Sequence, residues 1–169
     1  KLTVLVDNNT FIDRYFLGEP GVSYLIQDDS RQVLFDVGYS HAFILNARKM
    51  KIDLLQSDFV VLSHGHLDHT WGLDSLLKLH TETSIESVPF KRPKLIAHPD
   101  VFHTKSIDGI NEIGCTIPES KLSRHFDVNL TKEPFWLTER LIFLGEIERT
   151  NDFENREPIG KVHTQAGVQ

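Results

Sequence analysis

A layered α/β domain is the architecture this sequence predicts. Two observations lead there. Short apolar runs rich in β-branched residues alternate along the chain with segments of helical period. The densest group of candidate ligands, His64-Gly-His66-Leu-Asp68-His69, directly follows one of those runs. A loop at the C-terminal end of a strand is where a rigid sheet can aim side chains at a common point.

The elements are read in order. Leu2–Val6 is a short strand, followed by the polar turn Asp7-Asn8-Asn9-Thr10. Gly21–Gln27 and Gln32–Val37 are two strands of a hairpin joined through Asp28-Asp29-Ser30. Ser40 is placed to cap a helix from about His41 to Met50, with Phe43, Ile44, Ala47 and Met50 on one face. Phe59–Leu62 is the strand that delivers the histidines. A helix from about Leu73 to His80 follows, with Leu73, Leu76 and Leu77 turned inward. Thr81–Pro93 is polar, carries Pro89 and Pro93, and reads as a loop. Lys94–Ala97 is a strand that ends at His98-Pro99. Asp100–Ile117 has little pattern and reads as irregular, with a short helical turn. Phe126–Leu130, Phe135–Leu137 and Leu141–Leu144 are late, short strands. Residues 1–158 therefore read as one domain and 159–169 as a linker or disordered tail.

Composition narrows the function classes. With 169 residues, 40% hydrophobic and 25% charged, the chain is ordinary for a single globular domain with a real core. A net charge of -6 and no basic stripe argue against nucleic acid or an anionic membrane as partner. No apolar run approaches the roughly 20 residues that span a bilayer. Lys1–Val6 is too short and too soon polar for a secretory core, and Cys115 is the only cysteine, so a cytoplasmic location is expected. Cys115 reads as a buried structural thiol rather than a nucleophile, and the sequons at Asn8 and Asn129 as chance.

The histidine stretch carries the chemistry. Imidazole and carboxylate bind zinc at about 2.0–2.2 Å. His64 and His66, two apart in extended backbone, project to one side and can share an ion; Asp68 and His69 can serve a second. Gly65 keeps the loop between them narrow. A lone histidine after a strand is usually structural, but three with an aspartate in six residues are not readily explained that way.

These residues, with Asp36-Val-Gly38 after a strand, resemble the metallo-β-lactamase superfamily. Leu5–Thr10, Glu19–Ser23, Asn46-Ala47, Ile52-Asp53, Leu62–His66, Ala97-His98-Pro99 and Phe143–Arg149 with Phe153-Glu154 are similar to its branch of metal-dependent hydrolases, β-lactamase superfamily II. That branch includes dihydropterin–ribofuranosyl-aminobenzene-phosphate synthases. The resemblance covers about residues 1–158. It implies an αββα sandwich with one or two divalent ions, zinc first and manganese or iron as alternatives, held by His64, His66, Asp68 and His69. Asp68 would also orient the attacking water, and Asp36 would support the ligand loop, although a turn-forming aspartate before Gly38 reads as well. The family's later histidines have no match here, so the resemblance implies a fold incomplete at its C-terminal side. The third ligand of each ion then comes from His98, His103, His125, His163, a missing segment or a partner chain. His98 leads these, although a structural histidine before Pro99 is the stronger reading. Trp71 stands where the branch keeps a small residue, and it either lines the pocket or, as favoured, packs the next helix. Glu146 and Arg149 could meet an anionic substrate or pair as salt bridges.

The expected function is a metal-dependent hydrolase, or a related phosphoribosyl-type transferase, acting through metal-activated water. The substrate would be a small molecule bearing a pterin or a phosphate, with a homo-oligomer open. The alternatives are a catalytically silent metal-binding domain completed by another segment and, more remotely, an iron redox protein.

Overall fold

The computed structural model describes residues 1–148, 150–151, 153, 159–164 and 167–168. Strands β1 (Leu2–Val6), β2 (Ser23–Asp28) and β3 (Arg31–Phe35) form an antiparallel meander. The β2–β3 turn is tight, with Asp29 in the left-handed region at φ 50°. Helix α1 (Ala42–Lys49) leads to β4 (Phe59–Val61); α2 (Leu67–Thr70) and α3 (Leu73–Ile85) lead to β5 (Lys94–Ala97). A 3-10 turn at Pro99–Phe102 precedes β6 (Thr104–Ser106), then α4 (Glu119–Leu122) and β7 (Asp127–Leu130). Strands β8 (Phe135–Trp136), β9 (Ile142–Phe143), β10 (Lys161–Thr164) and β11 (Gly167–Val168) complete the described elements.

The main sheet has six strands in the order β1-β2-β3-β4-β5-β7, with β3, β4, β5 and β7 parallel. Parallel neighbours need crossovers, and α1, α3 and α4 lie in those connections. Alternation along each strand then builds two faces. Leu34, Val60 and Leu95 join Phe43, Ala47, Leu73, Leu76 and Leu122 of the helices in the larger core. Val33, Val61 and Ile96 turn to the other face, against Phe135, Leu137, Leu141 and Phe143 of the β8–β9 hairpin. The layers are therefore helix, sheet and β-hairpin, as the α/β reading expects.

Several expectations change in detail. Ser40 does serve the start of α1, its hydroxyl accepting the Ala42 N–H at 3.1 Å. Helix α3 runs on to Ile85, through residues read as loop, with Thr83 buried in its last turn and the Thr83 and Ser84 hydroxyls satisfied by the carbonyls of Leu79 and His80. The stretch expected as irregular contributes β6, and residues from the expected tail contribute β10 and β11, which pair with it in a three-stranded sheet.

His80, where the expected helix ends, is only 2% exposed, and its Nδ1 has no hydrogen-bond partner among the described residues. Burial, with His125 facing it, pushes its pKa down to about 4. The unfolded chain takes up this proton near the ordinary 6.5, so the folded state binds fewer protons between those values. Stability is therefore expected to fall as pH drops from about 6.5 to about 4, by on the order of 3 kcal/mol from this residue. Denaturant unfolding of the wild type and His80→Phe at both pH values measures it: the variant is expected to show a clearly shallower loss.

Candidate metal centre

The ligand loop leaves the sheet where β4 ends between β3 and β5. Leu62 still donates its N–H to the Ile96 carbonyl at 3.0 Å, so the pairing holds one residue beyond β4. The chain then turns through His64-Gly-His66 into α2, with His66 at the helix N-cap. Gly65 is buried, and a Cβ there would strike the Val101 carbonyl and lie 2.6 Å from Lys105 Nζ. That close approach is why the loop needs glycine. Lys105 fixes the supporting turn by donating to the carbonyls of Asp100 (2.6 Å), His103 (3.1 Å) and Val101 (3.3 Å). Burial lowers its pKa against the opposing pull of nearby acidic groups.

Asp36 organises the loop from behind. Fully buried, at φ 52°, it accepts the Ser63 N–H at 2.7 Å on Oδ1. Its Oδ2 accepts the Ser63 hydroxyl at 2.6 Å and pairs with His69 Nδ1 at 2.7 Å. Because the Ser63 proton goes to Asp36, Ser63 Oγ is left to accept from His64 Nδ1, which lies 2.9 Å away. His69 Nδ1, against a carboxylate, is likewise a donor. In their neutral forms both imidazoles then carry their proton on Nδ1 and keep the lone pair on Nε2. A carboxylate behind an imidazole fixes its tautomer and ring orientation in this way.

The four side chains named from the sequence share one patch. The His64 ring lies 4.0 Å from that of His69 and 4.8 Å from that of His66, centroid to centroid. His69 Nε2 is 3.7 Å from Asp68 Oδ2. Although His64 keeps an exposed edge, packing around its ring, with His69 and His66 beside it, pushes its pKa down to about 4. Its imidazole is neutral at pH 7. Burial pulls His69 the other way from Asp36, whose hydrogen bond and charge prevail and raise its pKa. Among the described residues, no three His, Cys, Asp or Glu side chains stand arranged to hold a metal ion. The fit rests on the donor set: two imidazole lone pairs oriented by Asp36, the His66 ring without a capping bond, and an adjacent carboxylate.

Of the candidate third ligands, His98 Nε2 and His103 Nδ1 are buried without a hydrogen-bond partner among the described residues, while His125 and His163 have other neighbours. His98 Nδ1 accepts the Asp100 N–H at 3.1 Å, which places the ring proton on Nε2. His98 thus presents an N–H, 3.9 Å from Glu146 Oε2, rather than a lone pair. His103 Nδ1 lies 3.4 Å from Asp100 Oδ1, and His125 faces His80. His163 sits on β10 with Nε2 2.7 Å from the Ser106 hydroxyl. Arg149 lies outside the described residues.

Two parts of the site were missed in the sequence reading. One is Ser63, the link between Asp36 and His64; its place directly before His64 was the available signal. The other is the Glu19–Gly21 loop. Glu19 accepts the N–H groups of Tyr39 (2.9 Å) and Ser40 (3.0 Å). Gly21, at φ 91°, lies so near the Asp68 backbone that a Cβ would overlap its carbonyl. The loop therefore holds Asp68 from the outside.

Comparison with known proteins gives the family and the fold. Residues 17–150 match the family model of the metallo-beta-lactamase superfamily. An uncharacterized protein of Methanocaldococcus jannaschii is 28% identical over 92% of the chain and 57% of its own length. From the same organism, 7,8-dihydropterin-6-methyl-4-(beta-D-ribofuranosyl)-aminobenzene-5'-phosphate synthase is 26% identical over 99% of the chain and 58% of its own length. The chain thus spans a little over half of these relatives. A solved structure described as a metal-dependent hydrolase of the beta-lactamase superfamily superposes with a TM-score of 0.71 at 24% identity. That match covers 99% of this chain and 56% of the other, and shows the shared fold.

Proposed function

The chain belongs to the metallo-beta-lactamase superfamily, and from that premise we propose that it is a metal-dependent hydrolase, or a related phosphoribosyl-type transferase. His64 and His66 would hold one divalent ion, and Asp68 and His69 a second, with zinc the first choice and manganese or iron compatible with the donors. Such an ion supplies Lewis acidity toward a substrate oxygen and makes water more acidic. The remaining work belongs to the chain. Asp36 fixes His69 directly and His64 through Ser63, so neither ring must reorient on loading. Asp68, on the first turn of α2 and beside His69, is the group placed to take or orient a proton of the attacking water.

The observation that carries this reading is the Asp36–Ser63–His64 and Asp36–His69 network, which leaves two Nε2 lone pairs on one patch. A small substrate carrying a pterin or a phosphate is supported by the name of the M. jannaschii synthase. The test is turnover of 4-nitrophenyl phosphate and bis(4-nitrophenyl) phosphate with added zinc or manganese. Metal-dependent turnover is expected, reduced about 100-fold or more in Asp68→Asn. A folded, metal-loaded protein that turns over neither ester supports the silent metal-binding domain instead.

A further inference from the structure

Beside Asp68 the structure holds an aromatic pair that the chemistry above does not use. Trp71 caps the C-terminal end of α2, three residues after Asp68 in continuous helical backbone, and its N–H closes onto Leu67. Residues three apart on a helix share a face, so Trp71 leaves the backbone one turn along from Asp68. The indole is fixed rather than free: its Nε1–H donates to the Gly114 carbonyl at 2.7 Å. Tyr39 stacks on it, with centroids 5.4 Å apart and planes 26° from parallel. The Tyr39 backbone is held by Glu19, and the loop behind it is tied to the ligand loop through the Val37 N–H to the His69 carbonyl at 3.1 Å. Tyr39 nonetheless remains 42% exposed.

An aromatic ring stacked on a pinned neighbour and still open to solvent is a preorganised stacking surface. Exposure alone does not set it apart, since Phe11, Tyr15 and Trp136 are more exposed; the stacking on an indole that is itself hydrogen-bonded does. Tyr39 Oη makes no hydrogen bond among the described residues. Its face favours another flat, conjugated ring, offset-stacked, over a saturated or highly charged group.

We propose that Tyr39, backed by Trp71, is a substrate-binding platform for a planar heteroaromatic ring, seating that ring beside Asp68. This deepens the proposed function by naming the part of the substrate that the chain grips, and it rests on that reading for the reaction. The binding itself does not require the metal.

The experiment uses the full chain carrying Trp136→Phe, which leaves Trp71 as the sole emitter of the two tryptophans. Trp136 is 62% exposed on β8, so the change is tolerable. The probe is 2-amino-4-oxopteridine, titrated with chelator present and again with zinc, and Kd is checked by calorimetry. Saturable quenching of Trp71 is expected, with Kd weakened about tenfold by Tyr39→Ala and kept within about twofold by Tyr39→Phe. Ribose 5-phosphate is expected to bind equally to all three proteins. Absence of saturable pterin binding, or equal Kd in Tyr39→Ala, overturns the platform. If metal uptake and ester turnover are also present, the hydrolase reading survives that failure. If Tyr39-dependent pterin binding occurs without turnover, the platform stands and the hydrolase reading fails.

Discussion

Asp36→Ala is expected to unfold more easily by about 3 kcal/mol and to bind zinc at least 10 to 100 times more weakly. The first effect follows from what the carboxylate satisfies. Ser63 N–H, Ser63 Oγ–H and His69 Nδ1–H would all lose their acceptor in one step. Alanine is also poorly suited to the left-handed backbone at this position, which adds roughly 1 kcal/mol. The second effect follows from tautomers. Without Asp36, Ser63 is free to donate to His64 Nδ1, which moves the imidazole proton to Nε2 and removes the lone pair. Asp36→Asn separates the two effects, because asparagine tolerates the backbone but cannot accept all three donors. It is expected to recover much of the stability and little of the affinity. Denaturant unfolding and zinc titration against a chromophoric chelator read them independently.

His66→Ala is expected to abolish uptake of at least one ion per chain at micromolar zinc while leaving the fold intact. The ring makes no capping hydrogen bond, and its carbonyl, which does receive Thr70 Oγ1 at 2.9 Å and the His69 N–H at 3.1 Å, survives the substitution. Loss of a ligand without loss of structure distinguishes a metal site from a structural histidine cluster. Equilibrium dialysis with elemental analysis, alongside circular dichroism, measures both. Retained stoichiometry in His66→Ala would remove this residue from the ligand set.

The ligand loop was legible because its chemistry is local. Four donor side chains in six residues after a β-branched strand announce themselves, and β4, β5 and the β2–β3 hairpin lie close to where their patterns put them. What stayed hidden is what long-range contact decides. Ser63 and Asp36 are 27 residues apart, and nothing in either neighbourhood says that they meet. Gly21 reads as the first residue of a strand, while its constraint comes from Asp68. Strand β6 has no apolar pattern and exists through pairing with β10. The last turn of α3 is polar in composition, so it looks like loop until its hydroxyls are seen to bond back into the helix. Trp71 illustrates a third case: packing was favoured, and the residue does pack, but against an exposed tyrosine beside the candidate ligands.

Anomalous diffraction at the zinc absorption edge, from crystals of zinc-loaded protein, tests whether the loop from His64 to His69 gathers a cation. The predicted result is one or two peaks in that loop, with imidazole nitrogens of the loop histidines about 2.0–2.1 Å away. Zinc-loaded crystals with their anomalous density elsewhere, and none in the loop, would contradict it.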